Sequence, residues 1–326
     1  MILAGDIGGT KTNLALVRVS GRRASVRAQQ RFSTSAYPHL AAMVRDFLRG
    51  RAYPEAACFG VAGPVVNGRC SGTNLPWDID EAALRRALRL PAVRLINDLV
   101  ATAYGIDWLP PRAFTVLNRG RPQPGGTIAV IAAGTGLGEA VLAWDGCQYR
   151  ALASEGGHAD FAPRTPREWA LHQRLAKRYG HVSCERVLSG PGKIAIYEFL
   201  KAARGAREPA WLRQRFARAD TSAVISEEAL SGRSSLCREA VELFISIYGA
   251  EAGNLALKTL ATGGVYLGGG IAPTLGPLLA RGRFMRAFTD KGRLAPLLRQ
   301  IPVRVILDDK AALLGAARCG ALTRRL

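Results

Sequence analysis

A mixed α/β chain made of two similarly built halves is the fold class this sequence predicts, and three observations predict it. Two glycine turns, Gly5-Asp6-Ile7-Gly8-Gly9-Thr10 and Gly134-Thr135-Gly136-Leu137-Gly138, each lie between runs rich in Ile, Val, Leu and Ala. After the first turn, strand-like alternation gives way to helical spacing, and the second turn begins the same pattern again. At 326 residues the chain is also too long for one ordinary core. It fits two domains, expected at 1–108 plus 300–326 and at 109–299.

The elements follow in order. Residues 1–4 and 12–19 read as a hairpin, and 25–33, with alternating Val26, Ala28 and Phe32, as a third strand. Leu40, Met43, Val44, Phe47 and Leu48 then recur at helical spacing. An apolar strand at 57–61 ends in Ala62-Gly63-Pro64, and a helix over 80–88 leads to a strand at 93–96. Asn97-Asp98 caps a helix over 99–105, since both are favoured N-terminal residues. The Pro- and Arg-rich stretch from Pro110 to Gly126 interrupts the pattern, and 127–133 and 140–144 begin the second hairpin. Self-similarity is architectural, with little identity between the halves.

Further on, Thr165-Pro166-Arg167-Glu168 has capping-box spacing with Pro at the first helical position, and Gly180 should close that helix. Residues 236–260 carry apolar side chains at helical spacing. The uncharged run 259–280 is long enough for a bilayer, but Gly263-Gly264, Gly268-Gly269-Gly270, Pro273 and Pro277 would break such a helix repeatedly. It reads as a buried strand, a glycine turn and a helix start. A strand at 303–307, a turn at Asp308-Asp309-Lys310 and an Ala-rich helix through Cys319 close the chain. This last segment is expected to pack on the first domain, because it has no core of its own.

Composition narrows the function. With 48% hydrophobic and 21% charged residues, the chain is that of a folded, soluble protein. A net charge of +20 and a pI near 10.6 would ordinarily raise nucleic acid or an anionic membrane as partner. The arginines are scattered singly and in pairs, however, so neither partner is expected. Six cysteines lie far apart, without C-x-x-C or a Cys/His cluster, which argues against zinc and disulfides and for a reducing, cytoplasmic setting. No signal peptide is read at the N-terminus, where Asp6 interrupts the apolar run.

The two glycine turns carry the chemistry. Backbone N–H groups without a neighbouring Cβ form nests suited to phosphate oxygens, although each turn alone could be only a tight hairpin. Thr10 and the Gly8 and Gly9 amides can meet phosphate oxygens, as can Thr135, Gly136 and Gly138. Asp6 is suited to hold Mg²⁺ through water. Neither a Walker sequence nor a kinase catalytic loop occurs, and Gly134–Gly138 has the wrong spacing for a dinucleotide fingerprint.

Beyond these turns, Thr73-Asn74 before Trp77, Ile96-Asn97-Asp98, Glu155-Gly156-Gly157-His158-Ala159-Asp160-Phe161, residues 182–192 and 263–270, and Asp290-Lys291-Gly292-Arg293 complete a nearly end-to-end pattern. In these motifs the chain resembles the bacterial glucokinases of the hexokinase/Hsp70/actin ATPase superfamily. The resemblance implies a duplicated RNase H-like fold, two α/β domains flanking a cleft, and ATP- and Mg²⁺-dependent phosphorylation of glucose at its 6-hydroxyl, the entry step of glycolysis. It implies Asp98 as general base and Asn74, Asn97, Asp98, Glu155, His158 and Glu185 as sugar contacts. The nucleotide would lie on Gly5, Asp6, Ile7, Gly8, Gly9, Thr10, Gly134, Thr135, Gly136 and Gly138, with Gly268, Gly269, Gly270 and Ile271 as the adenosine turn. A homodimer is the matching quaternary expectation.

Sugar chemistry agrees with these residue types, because paired hydroxyls that donate and accept need carboxylates and amides able to bond two oxygens each. The positive end of a helix dipole should favour the charged form of Asp98. Plainer roles stay open: Asp98 as a cap, His158 as an ordinary polar residue, Glu185 as a partner of Arg186. Lys11 and Glu139 follow their turns where the family more often carries uncharged residues, which leaves the phosphate donor open. Glucose, mannose and glucosamine are not distinguished. A related sugar-kinase and repressor family adds a cysteine zinc loop, absent here, as is a helix-turn-helix before the first strand. Competing readings are a sugar-responsive regulator that binds nucleic acid and an actin- or Hsp70-like ATPase without a sugar.

Overall fold

The computed structural model describes residues 1–21, 23–71 and 75–323. Contacts divide the chain into two compact units, Met1–Ala113 with Ala140–Ala153 and Asp308–Leu326, and Phe114–Glu139 with Ser154–Leu307.

In the first unit, β1 (Ile2–Ile7) and β2 (Lys11–Ser20) form the expected hairpin and β3 (Arg23–Ser33) extends it. Helix α1 (Leu40–Leu48) begins at His39, whose Nδ1 accepts the Ala42 N–H at 3.0 Å. β4 (Ala56–Val61) follows, then a small ribbon of β5 (Arg69–Ser71) and β6 (Asp78–Asp80). Asp80 caps α2 (Glu81–Leu88) by accepting the Ala83 N–H at 2.7 Å. That bond, with the Arg69 guanidinium, holds its carboxyl below the usual range. β7 (Val93–Asn97) runs directly into α3 (Asp98–Gly105). The sheet order is β3-β2-β1-β4-β7, with β1 antiparallel to β2 and parallel to β4, and β4 parallel to β7.

The second sheet opens on a strand the sequence reading missed, β8 (Phe114–Asn118), inside the Pro- and Arg-rich stretch. β9 (Ile128–Ala133), β10 (Leu137–Trp144) and β11 (Tyr149–Ser154) follow. Helix α4 (Pro166–Tyr179) starts at Thr165, whose Oγ1 accepts the Glu168 N–H at 3.2 Å, and stops at Gly180 as expected. α5 (Gly190–Ala203), α6 (Ala210–Arg218), α7 (Thr221–Ser231) and the long α8 (Ser235–Thr259) build the apolar layer. The uncharged run after α8 is the expected strand β12 (Gly264–Gly268), a glycine turn and a helix start, α9 (Ile271–Thr274). α10 (Gly276–Leu279), α11 (Arg283–Thr289), α12 (Ala295–Gln300), β13 (Val303–Ile306) and α13 (Ala311–Thr323) complete the chain. The order is β11-β10-β9-β12-β13-β8. Its first five strands repeat the connectivity of the first sheet, so the duplication read from the glycine turns is present in the topology.

The tail divides differently from expectation. β13 pairs parallel to β12 and antiparallel to β8, and its hydrogen bonds keep it in the second sheet. Only α13 packs on the first sheet, against β1, β4 and α3. That crossing is close enough to require glycine. A Cβ at Gly105 would lie 2.0 Å from the Ala311 carbonyl oxygen, and one at Gly315 would lie 1.7 Å from that of Ala101. Both distances are far inside van der Waals contact.

Leu3, Ile7, Leu14, Phe32, Met43, Phe47 and Phe59 centre the first core. Ile131, Leu171, Tyr197, Phe244, Tyr248 and Phe284 centre the second. Each core is contiguous, as a separately buried α/β layer requires. Among the described residues no helix is long and apolar enough to cross a membrane, and none of the cysteines is in a disulfide.

Candidate active site

Each unit carries some of the residues expected to form the site. In the first, the turn between β1 and β2 is closed by the Gly8 N–H donating to the Lys11 carbonyl at 3.0 Å. Thr34 braces it: its Oγ1 donates to the Gly8 carbonyl at 2.7 Å and lies 3.0 Å from Thr12 Oγ1, while its N–H donates to the Thr10 carbonyl at 3.0 Å. Gly9 and Thr10 therefore form the tip, and the Gly8 amide is already used. Gly5 and Ile7 face inward. A Cβ at Gly5 would lie 2.5 Å from Phe59, and the Ile7 side chain is fully buried.

Asp6 lies at the carboxyl end of β1, half-buried, with Asn13 Nδ2 donating to its Oδ2 at 3.4 Å. Burial pushes its carboxyl up, the Asn13 bond and Arg31 oppose this, and the nearby Asp309 adds to it. A desolvated carboxylate beside a second acid is one that a cation would stabilise. Among the described residues no group of three or more His, Cys, Asp or Glu could enclose a metal. A carboxylate at a strand end is the kind of oxygen ligand Mg²⁺ takes, since that ion retains water and substrate phosphates.

Asn97 and Asp98 stand where β7 becomes α3. Asn97 is the cap: its Oδ1 accepts the Leu99 and Val100 N–H groups at 2.8 and 3.3 Å, and its Nδ2 donates to the Gly63 carbonyl at 3.2 Å. Asp98 is the first helical residue, and its Oδ1 accepts the Leu99 N–H at 2.9 Å. Gly60 lets the helix approach β4, since a Cβ there would lie 2.8 Å from Ala101. Asp98 also acts on Cys70, whose thiol is pushed up by burial and then by the Asp98 charge. Asn74, expected to touch the sugar, lies outside the described residues.

In the second unit, the Gly134 N–H donates to the Gly136 carbonyl at 2.9 Å, and the Gly134 carbonyl accepts the Gly190 N–H at 2.8 Å. Glu185 bonds this turn. Its Oε2 accepts the Leu137 N–H at 2.9 Å and occupies the space a Gly136 side chain would take, 2.4 Å from an ideal Cβ. Thr135 forms the exposed tip.

Glu155 and His158 flank a short 3₁₀ turn, Gly156–His158, with His158 Nε2 4.0 Å from Glu155 Oε2 and side chains 61% and 58% exposed, respectively. Backbone leaves no room for a side chain at Gly157, and the Glu139 side chain occupies the room at Gly156. A Cβ at Gly157 would lie 2.0 Å from the Leu137 carbonyl, and one at Gly156 would lie 2.1 Å from Glu139 Oε2. The turn between Glu155 and His158 thus sits directly on the strand that leaves the glycine turn.

A cavity of about 1040 Å³ in this unit is lined by Gly134, Thr135, Tyr179, Lys193, Gly270 and Ile271, among others. Two of the expected nucleotide segments, the second glycine turn and the start of α9, therefore share one wall. Gly268 is a buried strand end, and Gly269 takes φ +75°, with its Cβ position 2.3 Å from the Ala133 carbonyl. Lys193 is a residue the sequence reading missed. Its ammonium is buried, donates to Ser226 Oγ, and is pushed down to about 8 by burial, against Asp220. It directly follows Gly192, where the recognised motif ended, and looks in sequence like a solvated helix lysine.

Known proteins show the same pattern. The glucokinase family model matches residues 3–323. A glucokinase of Synechocystis sp. is 45% identical over 345 aligned positions, covering 98% of this chain and 97% of that protein. The crystal structure of a glucokinase from an Antarctic psychrotroph superposes with a TM-score of 0.86 at 32% identity, covering 98% of both chains. A ROK-family glucokinase from Streptomyces griseus, solved with glucose and AMPPNP, shares the fold at a TM-score of 0.65 and 20% identity over 98% of this chain and 99% of that one. With this end-to-end match added to the duplicated sheets and the two glycine turns, the chain belongs to the glucokinase family.

Proposed function

We propose that this chain transfers the γ-phosphoryl group of ATP to the 6-hydroxyl of D-glucose, with Asp98 as the general base. The observation that carries the reading is the placement of Asp98 at the carboxyl end of a parallel strand and the first turn of a helix. Open α/β sheets present ligand-binding side chains there. Asn97 takes the capping work, so Asp98 is not needed as the cap and its carboxylate can accept the sugar hydroxyl proton.

Phosphoryl transfer proceeds through a loose transition state, so positioning and charge stabilisation outweigh the strength of the base. The tip amides of both glycine turns meet phosphate oxygens, and the cavity beside Gly134 and Ile271 takes the nucleoside. Asp6 would hold Mg²⁺, and the ion would supply charge neutralisation at the phosphates. Glu155 and His158, exposed on their glycine turn, bind sugar hydroxyls. Glu185 contributes one oxygen to the Leu137 amide, leaving its other for the sugar.

Asp98→Asn tests the base. The expected result is a fall in kcat of about 10²–10⁴-fold with glucose binding retained, read as glucose-dependent ADP release. Near-normal turnover in that variant would remove Asp98 from the role.

A further inference from the structure

Glu139 is charged, buried and unused by the mechanism above. It follows Gly138 on β10, is 2% exposed, and its Oε1 has no hydrogen-bond partner among the described residues. Its Oε2 fills the space against Gly156 that any side chain there would need. The groups around it do not neutralise it. Glu251 on α8 is a second buried carboxyl and pushes Glu139 up. Lys258, 3.6 Å from Glu251, opposes this only weakly. The Cys184 thiol, buried nearby, is itself pushed up by burial and by both acids, and the Tyr248 hydroxyl donates to the Ile131 carbonyl at 3.1 Å.

Burial and the Glu251 charge together move the Glu139 carboxyl to about 7. Near neutral pH it is therefore divided between a neutral form that packs quietly and an anion that meets a like charge in a low-dielectric interior. The backbone it touches is the turn between Glu155 and His158.

We propose that Glu139 is a positioning residue for the sugar-binding turn: protonated, it seats Gly156 against β10, and ionised, it loosens that turn and weakens glucose binding. This rests on the assignment of Glu155 and His158 to the sugar. The placement couples the strand leaving the phosphate turn to the loop that holds the hydroxyls.

The test is the glucose KM and kcat of the full chain between pH 6 and 8.5 for wild type, Glu139→Gln, Glu251→Gln and Glu155→Gln. Wild type should show a rise in glucose KM of about 3–10-fold through pH 7, with kcat and the ATP KM changing little, the size expected for a modest pair interaction. Glu139→Gln keeps a neutral side chain of the same shape and should hold the low KM across the range. Should Glu139→Gln fail to fold, Glu251→Gln decides the matter: without the neighbouring charge the rise should move to lower pH. The readout is the difference of each variant from wild type, which cancels any pH dependence the proteins share. A rise that persists unchanged in both Glu139→Gln and Glu251→Gln, or a wild-type KM that stays flat, overturns the proposal. Glu155→Gln separates the two levels. An unchanged glucose KM there removes the sugar-site assignment and this inference with it, whereas a raised KM there, together with a pH-dependent rise that Glu139→Gln and Glu251→Gln leave untouched, overturns the role of Glu139 alone.

Discussion

The two glycine turns occupy equivalent places in two sheets of the same connectivity, yet they are braced by opposite chemistry. The first is held by neutral hydroxyls, Thr34 and Thr12, and has its carboxylate, Asp6, before the turn and half-buried. The second is held by the Glu185 carboxylate and has Glu139 after the turn, buried. A hydroxyl brace leaves the first turn's electrostatics to Asp6 and whatever cation it meets. The second turn carries anionic charge in its own support, where a change of protonation is transmitted to the neighbouring loop. Duplication has preserved the backbone and let the polar support diverge.

Asp6 is where breaking this contrast should cost most. Asp6→Asn keeps the Asn13 contact but removes the negative charge suited to a hard cation. A fall in kcat/KM for MgATP of about 10²–10³-fold is expected, the scale of losing one electrostatic contact to the transition state. Titrating activity with Mg²⁺ should also show a higher requirement, and an unchanged Mg²⁺ dependence would break the assignment.

Next in size is the pH dependence that only the second turn should show. Glu139 is raised in the folded state above its unfolded value, so the folded chain binds the extra proton. The associated stability is complete below about pH 4.5 and is lost as pH rises through about 7, an integral of about 3 kcal/mol. Urea denaturation at pH 5 and pH 8 measures it: the loss between the two should shrink clearly in Glu139→Gln. Lys193, lowered to about 8, is present in both proteins, so its contribution cancels in the comparison. An equal pH loss in both proteins would place the charge effect elsewhere.

Thr34→Val should cost less, about 1–3 kcal/mol, by leaving the Gly8 carbonyl and Thr12 hydroxyl without their partner in a buried site. The same denaturation experiment checks it.

What the sequence disclosed follows the range of the interactions concerned. The glycine turns, the Asn97 cap and the Thr165 capping box are local, and their residue types state their geometry. β8 was hidden because Pro110, Pro111, Pro122 and Pro124 dominate that stretch, while Phe114–Asn118 is a strand through its pairing with β13, far along the chain. The terminal strand was assigned to the first domain for a similar reason: its partners, β12 and β8, are fixed by tertiary pairing. Glu185 invited pairing with adjacent Arg186, yet its bond is to Leu137, 48 positions earlier. Lys193 and Glu139 carry charges whose burial no local pattern signals, because burial is decided by α7 and α8 packing over them. Local chemistry was legible, and long-range support was not.

The smallest effects should fall within the second turn itself and sharpen its dependence on Glu185. A Cβ at Gly134 meets nothing within 4 Å, so Gly134→Ala should leave stability within about 0.5 kcal/mol of wild type. A Cβ at Gly136 would lie 2.4 Å from Glu185 Oε2, the movable end of a side chain. Gly136→Ala can therefore fold by displacing that carboxylate, at about the 1 kcal/mol of the hydrogen bond it gives up. Glu185→Gln retains an oxygen for the Leu137 amide and should relieve part of that cost when combined with Gly136→Ala, a coupling that a double-mutant cycle reads directly. Additive effects of the two substitutions would mean that the carboxylate is a bystander, and the contrast between a hydroxyl-braced and a carboxylate-braced turn would lose its physical basis.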